Sequence, residues 1–422
     1  VFKLEQNYRS TGTIVAAAND IIAKNKNQLP KLVYTENESG EPIRTIVGNT
    51  EQDEAARIVD TIREQKMRSA LFNKDFALLY RTNAQSRALE DGLRRANIPY
   101  KIFGGLSFYK RKEIKDVVAY LRLAVNPHDE ESIKRVINYP ARGIGDVTLD
   151  KIRAVANERG ISFWDALVQL GQGGQNRLGT LLEPFVALVQ GFQYVAAREN
   201  AYEAVSHIAK NSGILKELHK DNSTEGLSKW ENVQELVNAA REYTENPTVE
   251  DHSLKGFLAE ISLYTDADQK LESDDFVTLM TIHAAKGLEF KSVFVAGLEE
   301  GLFPSMMATQ SRQDLEEERR LFYVAVTRAE KLLTLSMAKS RFKYGNINYN
   351  EPSRFLEEID PRYLALAPTD LRRLQQGSRE TFEARLPPAR REGGSAGAAA
   401  RERERGLERE PGPLGRTSPG YG

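Results

Sequence analysis

The chain has 422 residues, no cysteine, and almost cancelling charge, with Lys+Arg 59 against Asp+Glu 60. That length suits about two to three domains, while the missing cysteines exclude disulfides and thiolate metal sites and fit a reducing, cytoplasmic compartment. No apolar run approaches the roughly 20 residues of a membrane span, and a net charge of -1 confines any surface for a polyanion to a local basic patch.

Residues 1–112 read as alternating strand and helix. Val1-Phe-Lys-Leu4 opens on a strand-like phrase without Met or a signal-peptide pattern, which points to a cut from a longer polypeptide. Ser10 or Thr11 is placed to cap a helix over Ile14–Asn25. Short β-like runs at Pro42–Val47 and Phe76–Tyr80 bracket an amphipathic helix, Glu51–Lys66, and a further helix covers Ser86–Arg95 before a turn at Gly104-Gly105. Such alternation predicts a mostly parallel sheet.

From 113 to 272 the pattern becomes almost purely helical, with helices expected at Ile114–Ala124, Thr148–Asn157, Leu181–Ala197 and Leu227–Tyr243. The strand signal returns at Phe276–Ile282, Ser292–Leu298 and Leu332–Met337, so residues 273–362 should complete the first α/β domain around an all-α insertion. Residues 363–422 lack Lys, Val and Ile and carry Arg-Glu repeats with Gly/Pro/Ala clusters, a composition expected to be a disordered tail.

Several phrases carry chemistry. In Asn7-Tyr8-Arg9-Ser10 an aromatic beside an arginine at a strand-to-helix junction suits stacking on a base and contact with a phosphate. In Thr281-Ile-His283-Ala-Ala-Lys286-Gly287-Leu-Glu289, Gly287 permits close backbone approach and Glu289 can accept from ribose hydroxyls. Arg328 follows a highly charged stretch, Glu316–Arg320, whose spacing predicts helical ion pairs. Basic residues interleaved with aromatics, as at Arg81 beside the polar Asn83 in Tyr80–Arg87 and in the run Tyr100–Asp116, suit a nucleic-acid backbone. Gly143-Ile-Gly145 before a helix start exposes backbone N–H groups to a phosphate. Arg341–Tyr349 reads as a hairpin with Tyr344 near its turn.

Three of these phrases, Leu4–Ser10, Thr278–Glu289 and Glu316–Ala329, resemble in order motifs IV, V and VI of the UvrD/Rep/PcrA group of superfamily 1 DNA helicases. The resemblance covers residues 1 to about 360. It implies a RecA-like domain (2A) of the P-loop NTPase fold with a helical insertion (2B), together the C-terminal half of an ATP-dependent 3′-to-5′ helicase of repair or replication. The chain has no G-x-x-x-x-G-K-[ST] loop, and Lys286 lacks the glycine spacing of a phosphate-loop lysine, so that loop and the Mg²⁺ ligands would come from an N-terminal RecA-like domain. By resemblance, Tyr8 stacks on adenine, Arg9 and Arg328 contact the γ-phosphate as the catalytic arginines, and Gly287 and Glu289 complete the ATP site. Arg81, Asn83, Thr281 and His283 face single-stranded DNA, Gly143 and Gly145 face duplex, and Tyr344 caps the fork as a separation pin. Single-stranded and forked DNA and repair or replication proteins are the implied partners, in the cytoplasm at the nucleoid. Two alternatives stay open: a non-enzymatic DNA-binding or regulatory fragment, and a helicase–nuclease subunit of the AddA/RecB type.

Overall fold

The computed structural model of the chain describes residues 5–27, 31–172, 177–267, 274–343 and 346–365. Tyr344 and all but the first three residues of the expected tail 363–422 lie outside them.

The sheet has strands β1 (Arg44–Gly48), β2 (Phe76–Tyr80), β3 (Tyr100–Ile102), β4 (Val277–Thr281), β5 (Phe290–Val295) and β6 (Ala329–Ala338), in the order β1-β6-β5-β2-β4-β3. Every pairing in it is parallel. Parallel strands are buried on both faces, and Phe76-Ala-Leu-Leu-Tyr80 is accordingly apolar at each position and wholly buried. On one face pack α1 (Gly12–Ala23), α13 (Arg312–Val326) and the short α14 (Arg354–Glu357), joined by a triad of rings, Phe303, Phe322 and Phe355. On the other lie α2 (Glu51–Ser69) and α3 (Ser86–Arg95), through Ile58, Ile62, Leu89 and Leu93.

Strands β3 and β4 are neighbours, with Tyr100 opposite Val277, although most of the chain's helices lie between them in sequence. That one connection is expanded into α4 (Lys112–Val125), α5 (Glu130–Val136), α6 (Asp146–Arg159), α7 (Phe163–Gln172), α8 (Arg177–Ala196), α9 (Ala201–Asn211), α10 (Ile214–His219), α11 (Thr224–Glu245) and α12 (Leu254–Ala267). These helices have a hydrophobic core of their own, centred on Val117, Tyr120, Leu121, Phe185, Phe192 and Ile208.

The expected helices and strands appear within a few residues of their predicted bounds. The capping of α1 differs. Neither Ser10 nor Thr11 caps it by side chain; the Ser10 hydroxyl instead donates to Ala329 O at 2.7 Å, and the first amides of α1 donate to Glu38 O and Ser39 O. A distant loop satisfies the helix start, a solution that local sequence does not reveal.

After β6 a two-stranded hairpin, β7 (Ser340–Lys343) and β8 (Asn346–Tyr349), projects toward the helices. Phe342 meets Tyr202 edge-on and lies under the Arg241 guanidinium at 3.9 Å. The hairpin and α11 therefore join the sheet to the helical part at the carboxyl ends of the strands.

Candidate functional site

The phrases singled out in the sequence sort onto opposite edges of the sheet. Glu289 and Arg328 immediately precede β5 and β6, so they stand at the amino edge. Arg81 and Thr281 end β2 and β4, at the carboxyl edge. The single phrase Thr281–Glu289 crosses from one edge to the other.

At the amino edge, Asn7 Oδ1 accepts from the backbone amides of Arg9 and Ser10, both at 2.8 Å, folding the segment into a tight turn. The Ser10 hydroxyl and the Thr11 amide then anchor that turn to Ala329 and Glu330 at the start of β6. Arg9 is thereby carried to Glu289, with which it forms an ion pair, and next to Arg328. Tyr8 stands out from the same turn with 78% of its surface exposed, as a ring available for stacking would be.

Arg328 is held by neutral acceptors. Its Nε donates to Val324 O at 3.0 Å, Nη1 to Leu288 O at 3.0 Å and Nη2 to Thr327 Oγ1 at 3.1 Å. Burial, then repulsion from Arg9, lowers its proton affinity, with Glu289 acting in the opposite sense. A guanidinium stays charged regardless, so two cations share one carboxylate here. The edge has positive charge to spare, which suits an anion such as a terminal phosphate. Gly287 sits at φ +92° with nothing within 4 Å of where a Cβ would be; its backbone conformation, and no crowding neighbour, accounts for glycine in the loop before Glu289.

At the carboxyl edge Arg81 is bound in bidentate fashion to Glu318, Nη2 donating to Oε1 at 2.7 Å and Nε to Oε2 at 3.2 Å. Burial and the nearby Arg81 charge push the His283 pKa down, against Glu318, so the ring favours its neutral form. The Thr281 hydroxyl accepts from the Ala284 amide, and Asn83 presents an exposed side chain while its carbonyl accepts from Arg111 at 3.0 Å. Arg81, Asn83, Thr281 and His283 thus share this edge. Gly143 and Gly145 are exposed in the helical part, Gly145 preceding α6 with no side-chain cap on that helix start.

The charged stretch of α13 does less local pairing than its spacing predicts. Arg312 and Arg320 do reach Glu316 and Glu317 along the helix. Glu318, however, takes Arg81, Arg319 takes Glu358 and Asn25, and Glu316 also accepts from the backbone of Lys26 and Asn27. Glu318 is the site residue that sequence reasoning missed; the signal available was its place on a helix face different from the neighbouring 316–320 pair. No group of three His, Cys, Asp or Glu that could hold a metal occurs among the described residues, nor is any described helix long and apolar enough to cross a membrane.

The molecule is thus an open parallel α/β sheet interrupted by a helical insertion, with a cationic edge suited to phosphate. Residues 2–340 match the model of the UvrD-like helicase C-terminal domain, and the chain belongs to that family. It is 40% identical over 393 residues to the ATP-dependent DNA helicase PcrA of Staphylococcus aureus (strain Mu50 / ATCC 700699), covering 92% of this chain and 53% of the relative. With the PcrA of Staphylococcus epidermidis (strain ATCC 12228 / FDA PCI 1200) it shares 42% identity over 359 residues, 84% of this chain and 49% of that one. The chain therefore spans about half the length of the curated relatives it matches. A solved C-terminal domain of a possible DNA helicase from Lactobacillus plantarum WCFS1 aligns over 85% of this chain and 97% of its own, at 11% identity and a TM-score of 0.32, too low to carry an argument.

Proposed function

We propose that this chain supplies the second half of the ATP site and part of the DNA track of a 3′-to-5′ DNA helicase. The observation that carries the reading is the convergence of Arg9, Glu289 and Arg328, from three separate stretches of sequence, at the amino edge of the sheet beside an exposed Tyr8. In this arrangement Tyr8 stacks on the adenine, Glu289 exchanges its Arg9 partner for the ribose hydroxyls, and Arg9 and Arg328 stabilise charge developing on the γ-phosphate. The phosphate loop and the Mg²⁺ ligands belong to an N-terminal RecA-like domain of the same polypeptide, which closes against this edge. Mg²⁺ supplies charge neutralisation across the bridging phosphates when bound.

In the same proposal residues 1–112 and 273–362 form domain 2A, and 113–272 form the inserted 2B. The opposite edge, with Arg81, Asn83, Thr281 and His283, follows single-stranded DNA, while Gly143 and Gly145 meet the duplex and Tyr344 the fork. Helix α13 links the two functions physically: Glu318, midway along it, holds Arg81, and Arg328 follows just beyond its C-terminal end. The protein works in the cytoplasm at the nucleoid, with repair or replication proteins as partners.

The test is ATP hydrolysis by the purified chain, with and without single-stranded DNA. No turnover above background is expected, because arginines alone do not position a nucleophile and metal. DNA-stimulated turnover that vanishes on substituting Arg9 and Arg328 would show a complete active site in this chain and overturn the half-site reading.

A further inference from the structure

The crevice at the carboxyl ends of the strands, between the sheet and α11, is lined by Thr82 and Ala84 on either side of Asn83 and so adjoins the proposed DNA track, which gives its interior no role. Open α/β sheets bind ligands in that position, whereas the arginines assigned to nucleotide here stand at the other edge. The crevice has room for the centre of a water-sized sphere over about 90 Å³, where a single water needs about 10–15 Å³.

Its chemistry is defined by Glu51, the first residue of α2. A helix start favours a carboxylate, yet Glu51 is only 6% exposed, faces the crevice, and among the described residues has neither a hydrogen bond to another side chain nor an ion pair. The nearest cation, Arg341, is consumed by Glu54 and Glu299 at 2.5 and 2.6 Å. Glu235, which also lines the crevice, is likewise bound to Arg87 at 2.6 Å. A buried carboxylate without a counter-charge is unfavourable, so Glu51 holds its proton more tightly than a solvated carboxyl, and its ionised form is stabilised by a cation that enters the crevice. Ala88, Leu302 and Phe342 give the same crevice an apolar wall. Anions are repelled by the carboxylates, and the described residues offer no three-ligand set for a metal ion.

We propose that this crevice is a binding site for a small primary amine with a compact apolar body, its ammonium seated on Glu51 and its body against Leu302 and Phe342. Such a ligand touches the start of α2, the loop after β5 and the hairpin at once, and the inference stands independently of the ATP reading. Burial, reinforced by Glu235 and Glu242 and opposed by Arg341, raises the Glu51 pKa to about 7. The other charged groups at the crevice are Glu231 on α11 and Arg341, the latter already taken by Glu54 on α2 and Glu299 after β5, while Glu235 and Glu242 are held by Arg87 on α3. An alkylammonium remains charged between pH 6 and 8, its pKa lying near 10. Its binding therefore strengthens with pH as Glu51 ionises.

The experiment titrates phenethylammonium chloride into the full chain, followed by ligand-detected NMR, with 2-phenylethanol as the uncharged control. Saturable binding at about 1 mM or tighter is expected for a ligand of this size, weaker at pH 6 than at pH 8, with the alcohol at least about tenfold weaker. Glu51→Gln, which removes the charge, and Ala84→Trp, which fills the crevice, should each weaken the amine by about tenfold or more. No saturable binding, equal binding of the alcohol, or indifference to both substitutions overturns the proposal. The alcohol and pH comparisons use the unaltered chain and decide the matter even if a variant fails to fold.

Discussion

Two sets of arginines in this molecule have opposite surroundings. At the junction of sheet and helices, Arg87 is 1% exposed and pairs with Asp91, Glu235 and Glu242, while Arg341 is 8% exposed and lies between Glu54 and Glu299. Each has more carboxylates than it can neutralise. At the amino edge, Arg328 donates, among the described residues, to two backbone carbonyls and a hydroxyl, and it shares the Glu289 carboxylate with Arg9 in the wider field. Buried guanidiniums saturated by carboxylates are architectural: removing one strands charges in a low-dielectric interior. A guanidinium positioned by neutral acceptors keeps its charge available for an anion that arrives later. The acceptors around an arginine therefore separate its roles better than its burial does.

The sharpest way to break that comparison is Arg328→Ala in a polypeptide that also carries the proposed N-terminal RecA-like domain. Its kcat for ATP hydrolysis should fall by about 10³ or more, about 4 kcal/mol of transition-state stabilisation. DNA binding measured without nucleotide should be unchanged, and the melting temperature should hardly move, because no buried carboxylate loses its partner. Loss of DNA affinity with single-turnover hydrolysis intact would make Arg328 a backbone contact and remove the contrast.

The converse substitution is Arg341→Met. It leaves Glu54 and Glu299 facing each other without their shared cation, and should cost about 3–5 kcal/mol of stability. Denaturant unfolding of this chain measures it, and a loss below about 1 kcal/mol would mean the carboxylates relax into solvent. Arg81→Met is expected to fall between the two cases. Its partner Glu318 is buried, but Arg81 itself is only partly so, and a loss of about 1–3 kcal/mol should accompany release of the His283 pKa from the depressing effect of the guanidinium. Proton NMR of His283 follows that upward shift directly.

How much of this was legible beforehand follows from the range of the interactions. The elements were, because apolar periodicity is local: Phe76–Tyr80 and Ser86–Arg95 appear where the pattern places them. The family was legible too, through ordered phrases that carry Arg9, Glu289 and Arg328, which the fold brings together. What the chain does with its charges was not. Arg81 meets Glu318, Arg87 meets Glu235 and Glu242, and Arg341 meets Glu54, all across long stretches of sequence. Arg341 read only as the start of a hairpin and proves to be among the most buried cations. A charge has no periodicity to betray its partner; only the packed topology, with α11 laid over the strand ends, brings these groups together.

The smallest expected effect tests the acidic side of the same contrast, and it depends on pH. Glu51 and Glu90 are both raised to about 7, in each case chiefly by burial. A carboxyl group whose folded pKa lies above its unfolded value binds more protons in the native state between the two. The sign is therefore fixed: their neutral forms favour folding at low pH, and stability falls as pH rises from about 4.5 through about 7. Glu51→Gln keeps the shape and removes the ionisation, so it should match the parent chain at pH 5 and exceed it at pH 8. The gain should be on the order of 1–3 kcal/mol. Glu90 differs in having partners: it accepts from Ser86 Oγ at 2.7 Å and from the Phe108 amide at 3.2 Å. Glu90→Gln should accordingly gain less at pH 8, since the amide forfeits charge-assisted hydrogen bonds that the carboxylate makes. Urea unfolding of both variants at the two pH values measures the difference. Equal gains would mean that burial alone governs these carboxylates, whereas a gain confined to Glu51 identifies it as the one left without a partner.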